Sequence, residues 1–239
     1  MTTKVLFVLL TLVMVALCIA AVIYTRTTTV SNDYLRRKKN IITAATYTSL
    51  WLVYVAVISY SGLLQTTALP PRIPLLLILP LFVFIAVFLS RRSNAAFIDA
   101  IPLNWLIYAQ VFRVAVELLL HQLSVEGIIP EDATFKGYNY EIVIAATAPL
   151  IAAGCIRSGR LIRLPLILWN IAGLITLAIV VFLFMTHAYA PGIYTNAGQF
   201  SIIDFGSFPY TLLPGFLMPL AVFMHILALV KLRRLSGSK

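Results

Sequence analysis

The sequence predicts an all-α, polytopic membrane protein of seven transmembrane helices, with its N-terminus outside and its C-terminus in the cytoplasm. Three observations predict it. The 239 residues are 61% hydrophobic and 11% charged, with a mean hydropathy of +0.98, far outside the composition of soluble domains. Long apolar runs divide the whole chain, and a spanning helix needs roughly 20 such residues, so only loops and short tails are left over. The connecting segments then alternate between rich and poor in basic residues. A separate soluble catalytic, nucleotide-binding or DNA-binding domain is excluded, and residues 1–239 form one transmembrane domain.

The first run, Val5 to Tyr24, follows Lys4 as a signal peptide would. Its length exceeds the usual 7 to 15 apolar residues, no A-x-A cleavage pattern follows, and the basic cluster comes after it. Val15-Ala16-Leu17-Cys18 departs from a lipoprotein box at Leu17, so the run is read as a helix. The second, third and fourth runs are Ile41 to Leu64, Ile73 to Ser90 and Ile101 to Ser124. The fifth, Glu141 to Ile156, carries Ala145, Ala146, Ala148, Ala152, Ala153 and Gly154; small side chains permit close approach, which predicts a place in the middle of the bundle. The sixth is Leu164 to Thr186. The seventh, Pro209 to Val230, contains Pro209, Pro214, Gly215 and Pro219 and predicts a kinked helix whose freed carbonyls need partners. Membrane strands would be runs of about ten residues with alternating faces, unlike these.

Of the 18 Lys and Arg residues, 14 fall in the segments after the first, third, fifth and seventh runs: Arg26, Arg36, Arg37, Lys38 and Lys39; Arg91 and Arg92; Arg157, Arg160 and Arg163; Lys231, Arg233, Arg234 and Lys239. Three, Lys4, Arg72 and Lys136, fall at the other ends. The positive-inside rule gives the orientation stated, and the split works only for an odd number of spans. The net charge of +10 is therefore a topology signal, and no nucleic-acid partner is implied. Asp33 and Asp99 fall on the cytoplasmic side, where Cys18 and Cys155 are expected to stay reduced. Of the two longest outer loops, 125–140 and 187–208, the second contains Gly192, Gly198, Gly206 and several aromatic residues; it reads either as a cap over the outer mouth or as a solvated loop.

The remaining basic residue, Arg113, lies inside the fourth run. With Gln110, Glu117 and His121 it falls within an arc of roughly 80° on a helix. A charge near the bilayer centre costs about 2.5 to 3.5 kcal/mol, so this stripe faces the bundle interior. Arg113 and Glu117, spaced i, i+4, are expected to depend on each other. Candidate neighbours are Tyr47, Tyr54, Ser59 and Ser61 of the second run, Thr147 of the fifth, Asn170 and Thr176 of the sixth, and Tyr210 and Thr211 of the seventh.

His121 and His187 both belong near the outer surface, where Glu117 makes a two-His, one-carboxylate metal site a low-ranking alternative. His225 is read as an interfacial or interhelical hydrogen-bonding residue toward the cytoplasmic end, too far to join them. The Glu117-x-x-x-His121 spacing invites comparison with seven-helix zinc hydrolases of the ceramidase and progestin-receptor type, but their paired His-x-x-x-His is missing from the seventh run. Retinal is excluded because Pro209 to Val230 contains no lysine, and the Asp-Arg-Tyr and Asn-Pro-x-x-Tyr signatures of G-protein-coupled receptors are absent. No Walker loop, Gly-x-Ser-x-Gly elbow, His-Glu-x-x-His or Cys-x-x-Cys occurs. No cofactor is predicted.

Three segments resemble a group of uncharacterised bacterial integral membrane proteins: Leu103 to Leu123, the stretch from Glu126-Gly127-Ile128-Ile129-Pro130 through Thr134 to Glu141, and Phe208-Pro209 to Lys231-Leu232. The resemblance implies a bacterial inner-membrane protein and supplies no activity. The leading functional expectation is an outward-opening cavity lined by Gln110, Arg113, Glu117 and His121 that binds or translocates a small polar or ionic solute, with Arg113 engaging an anionic group. A structural or regulatory membrane subunit comes second and a metal-dependent hydrolase third.

Overall fold

The computed structural model describes residues 2–29, 34–157, 160–194 and 200–237. Asp33, Gly198 and Lys239, and the side chains of Arg36 and Arg160, lie outside the described residues. The protein is about 81% helical. Its main helices are α1 (Thr3–Thr29), α2 (Tyr34–Tyr60), α3 (Leu79–Ser90), α4 (Ala95–Ala100), α5 (Leu103–Tyr108), α6 (Phe112–Val125), α7 (Glu141–Cys155), α8 (Arg163–Tyr189), α9 (Ile202–Phe205) and α10 (Met218–Gly237). Two π-helical turns, Pro74–Ile78 and Leu213–Leu217, lead into α3 and α10. Among the described residues the only strands are β1 (Ile156–Arg157) and β2 (Arg160–Leu161), a short antiparallel hairpin between α7 and α8.

Among the described residues, five helices are long and apolar enough to cross a membrane: Thr3–Thr28, Arg37–Tyr60, Leu103–Val125, Arg163–Tyr189 and Leu213–Ser236. Pro74–Ser90 and Arg92–Ala100 pass the same test together but are bent by 81° at their junction, and Glu141–Cys155 is a shorter apolar helix. This is the architecture of a helical, multi-pass membrane protein. Exposed Leu, Val, Ile and Phe side chains on the outer helix faces suit contact with lipid.

Local chemistry explains where the helices depart from the apolar runs. α1 continues to Thr29 because Thr25 and Thr27 donate back to the carbonyls of Ala21 (2.9 Å) and Tyr24 (2.7 Å), which keeps a polar segment helical. α2 stops at Tyr60, four residues before the end of its run, where Gly62 turns the chain at φ +74°, a conformation glycine adopts without a Cβ penalty.

The prolines explain the π turns. Pro219 has no N–H for the carbonyl of Gly215, and Trp51 Nε1 of α2 donates to that carbonyl at 2.7 Å. Pro80 deprives Leu76 in the same way, and the Tyr54 hydroxyl donates to Leu76 O at 3.2 Å. A freed carbonyl expected of the proline-rich seventh helix thus finds its partner on α2, as does one in the third run. A Cβ on Gly215 would stand 3.1 Å from both methyls of Val55, so glycine is what lets the two segments approach.

The centre of the bundle corrects the expectation for the fifth run. On α7, Ala145, Ala148 and Ala152 are buried against the neighbouring α5, α6 and α8, but Val143, Ala146, Leu150 and Ala153 on the opposite face are exposed. Small residues allow one close face, and α7 lies at the rim. The inner helix is α10, apolar from Met218 to Val230 apart from His225, which packs on α8, α5, α3 and α4; its spanning segment is 67% buried, against 6% for that of α2.

One end of the bundle is tied by basic side chains. Lys231 donates to the carbonyls of Ile98, Asp99 and Ile101, Arg163 to Leu232 O, and Arg234 pairs with the Asp99 carboxylate at 2.9 Å. The opposite end is joined by the Thr3 hydroxyl on the Glu126 carboxylate at 2.5 Å and by Ser201 N on Ile128 O at 2.9 Å.

Candidate functional site

The fourth apolar run is one continuous stretch of helix, α5, a 3-10 turn over Ala109–Val111, and α6. As the cost of a lipid-facing charge requires, the deep members of its stripe point inward: Gln110, Arg113 and Glu117 are at most 1% exposed. They do not act as one group.

Arg113 turns to the first residue of α7. Its Nη2 stands 2.5 Å from Glu141 Oε1, and its Nε donates to Glu141 Oε2 at 3.2 Å. Nη2 also donates to Thr176 Oγ1 of α8 at 3.2 Å, and Nη1 to His225 Nε2 of α10 at 3.0 Å. A guanidinium has only donors, so Nε2 of His225 is the accepting nitrogen and Nδ1 carries the proton. Nδ1 then donates to Asn170 Oδ1 at 2.9 Å, and Asn170 Nδ2 to Leu166 O at 2.7 Å. Four helices meet on one side chain. The ring of His225 fits only because residue 173 is glycine, where a Cβ would stand 2.3 Å from its Cε1 and Nε2.

Glu117, one turn further along α6, has a different partner. Asn139 Nδ2 lies 2.9 Å from both carboxylate oxygens, while Asn139 Oδ1 accepts from Glu141 N at 3.0 Å. Asn139 therefore caps the start of α7 and holds Glu117 with the same side chain. The expected Arg113–Glu117 pair is replaced by Arg113–Glu141. Side chains spaced i, i+4 share a face, but a carboxylate from another helix, hydrogen-bonded to Nε and ion-paired with Nη2, wins the guanidinium.

The other predicted residues divide clearly. Gln110 donates from Nε2 to Ala221 O at 3.2 Å, and its Oε1 has no partner among the described residues. The half-buried ring of His121 packs on Phe135 with centroids 5.2 Å apart. Of the proposed neighbours, Asn170 and Thr176 join the Arg113 network. Tyr47 is 71% exposed on α2, Tyr54 caps Leu76, and Thr147 accepts from Trp169 Nε1 at 3.0 Å. Tyr210 packs edge-on against Phe7, and Ser59 and Thr211 bond each other at 2.6 Å. Tyr47 faces away from the bundle, and each of the others is committed to another partner.

His187 stacks on Tyr194 at 3.8 Å, shares a hydrogen bond with Leu183 O through Nδ1, and points Nε2 toward Asp132 at 3.8 Å. Among the described residues no group of three or more His, Cys, Asp or Glu side chains is placed to hold a metal, and Glu117, His121 and His187 do not converge. Cys18 and Cys155 are free thiols.

A cleft reaches the Arg113–Glu141 pair. It runs from Ile73, Ala188, Tyr189 and Phe200, where α8, α9 and the start of the α3 segment converge, down to Leu177 and Ala221 at mid-helix. The cavity volume is about 80 Å³, a narrow slot beside the roughly 300 to 1,000 Å³ of most small-molecule sites. Arg113 and Glu141 are the only charged residues lining it; apart from Tyr189 the rest are apolar. Gln110, Glu117 and His121 do not line it, so the cavity differs from the polar one expected. Phe200, Ile202 and Phe205 of the 187–208 stretch form part of its wall.

No protein-family model, curated protein or solved structure matches this chain.

His225 does what was expected of it, bonding Arg113 and Asn170 of other helices. Asn139 was not singled out, and Glu141 stood only as the first residue of the fifth run, although an Asn two residues before an acidic helix start is a capping signal. His225 was set too far toward one end, because the seventh run was ended at Val230. The helix continues to Gly237, which centres His225 in the span.

Proposed function

We propose that the chain is a seven-span protein of a bacterial inner membrane, N-terminus outside, that binds or translocates a small solute carrying a polar group in the cleft ending on Arg113 and Glu141. Seven spans follow if the bent α3–α4 segment and the short α7 each count as one. The joining of Lys231 and Arg234 to the 95–101 segment, and of Arg163 to Leu232, at one end supports this count. It puts segments after the third, fifth and seventh spans on a common side, as positive-inside orientation requires.

The observation that carries the functional reading is the cleft itself, which runs from the loop end of the bundle to a buried ion pair. A packed structural network needs no such access. Ala188 lies at the cleft mouth and is only half-buried, so Ala188→Trp closes the mouth with little disturbance of the core. Tritiated twelve-carbon probes (dodecan-1-ol, dodecanoate and dodecylamine) are to be bound to purified protein in nanodiscs. The proposal predicts saturable binding of at least one probe by the wild type that Ala188→Trp abolishes. If none of the three shows an Ala188→Trp-sensitive component, the cleft is not a binding site.

A second reading, a structural or regulatory subunit, is favoured by the way Arg113 ties α6, α7, α8 and α10 together. It predicts that no partner-free ligand binding is found.

A further inference from the structure

The chemistry at the foot of the cleft limits what its ligand can be. Arg113 supplies a positive charge, but Glu141 already neutralises it at 2.5 Å. An anionic head group would have to displace a buried carboxylate, and a cationic one would meet the guanidinium. A charge entering an apolar cleft without a free counter-charge pays its full desolvation cost. The pair therefore selects for an uncharged head.

It also has specific hydrogen-bonding capacity left. Hydrogen bonds occupy three of the five guanidinium N–H groups, and the second N–H of Nη1 has no partner among the described residues. Glu141 Oε1, itself buried, faces Nη2 at 2.5 Å and makes no hydrogen bond among the described residues. One donor and one acceptor are thus left at the pair. A hydroxyl, which accepts and donates through one oxygen, matches both; an ether oxygen only accepts, and a hydrocarbon does neither. Above the pair, walls built from Val116, Leu177, Val180, Phe184, Leu217 and Met218 offer no further charge, as suits an alkyl or isoprenoid chain.

We propose that the ligand is a single-chain amphiphile with an uncharged hydroxyl head, the hydroxyl accepting from Arg113 and donating to Glu141 while the chain lies along the apolar cleft. This rests on the cleft being a ligand site. It assigns to Arg113 recognition of a neutral group, in place of the anion the sequence suggested.

The test uses the Ala188→Trp-sensitive binding of four probes to the full-length protein in nanodiscs: dodecan-1-ol, its methyl ether, dodecanoate and dodecylamine. Dodecan-1-ol should bind about tenfold or more tighter than each of the others, the ratio set by one lost hydrogen bond or one unpaired charge. Equal or tighter binding of the ether, the acid or the amine overturns the hydroxyl assignment and leaves the cleft as a site. No Ala188→Trp-sensitive binding of any probe overturns both. Glu141→Gln adds an internal check: it frees the Arg113 cation, so the preference should move from dodecan-1-ol to dodecanoate. A folded Glu141→Gln protein that still prefers the alcohol would show that the head group does not reach the pair. If that variant does not fold, the alcohol-to-ether ratio in the wild type decides alone.

Discussion

At the scale of single residues, the buried polar groups divide the work that one helix face was expected to do. Arg113 takes its counter-charge from Glu141 and a neutral acceptor from His225, and Glu117 takes a neutral donor from Asn139. Gly173 is the least obvious member of this arrangement. It has no polar role, yet its missing Cβ is the space that the His225 imidazole occupies. Gly173→Ala is predicted to lower stability by about 1 to 3 kcal/mol, the usual range for overpacking, because the displaced ring would lose the Arg113 and Asn170 bonds. Thermal unfolding in detergent measures it, and an unchanged or raised midpoint would show that the ring is not held there. That Arg113 and Glu117 face inward was legible in the sequence, because lipid makes the outward alternative too costly. That they have different partners was not, because Glu141 and His225 come from helices whose packing is set by the whole bundle.

At the scale of elements, proline and glycine explain most of the irregularity. The seventh apolar run announced its kink through Pro214, Gly215 and Pro219; the partner of the freed carbonyl, Trp51, is 164 positions earlier and carries no local signal. α2 is almost unburied along its span, yet it supplies both side chains that satisfy proline-freed carbonyls. Trp51→Phe keeps the ring and removes the donor, leaving Gly215 O unsatisfied in the membrane interior. The expected loss is about 1 to 3 kcal/mol, and Tyr54→Phe should cost less because its bond is longer and exposed. Equal, negligible losses in both unfolding curves would mean that these carbonyls do not depend on α2. The short α7 marks where run-based reasoning is weakest: a stretch of small residues predicted a central helix, but the alanines that approach the bundle occupy only one of its faces.

At the scale of the whole molecule, composition and the basic-residue split made a helical multi-pass membrane protein legible. The cleft was legible only as an expectation of access to Arg113; its apolar walls come from Leu, Val, Phe and Met positions on separate elements that nothing in the sequence brings together. The orientation is tested by reporters: a cytoplasm-active enzyme fused after Lys239 should be active, and one inserted in the 187–208 loop should be silent. The reverse pattern at either site would overturn the orientation or the span count. The account as a whole turns on which carboxylate holds Arg113, since the pair organises four helices and forms the foot of the cleft. A double-mutant cycle in detergent-solubilised protein measures this directly, with Arg113→Gln, Glu141→Gln, Glu117→Gln and the two Arg113 double variants. Glu141→Gln alone should cost about 3 to 5 kcal/mol by stranding a buried cation. Adding Arg113→Gln should recover most of that, giving a coupling on the order of 2 to 3 kcal/mol. The coupling of Arg113 to Glu117 should be smaller by at least about 1 kcal/mol, within the range that such cycles resolve. A coupling to Glu117 equal to or larger than that to Glu141 would contradict the site as described.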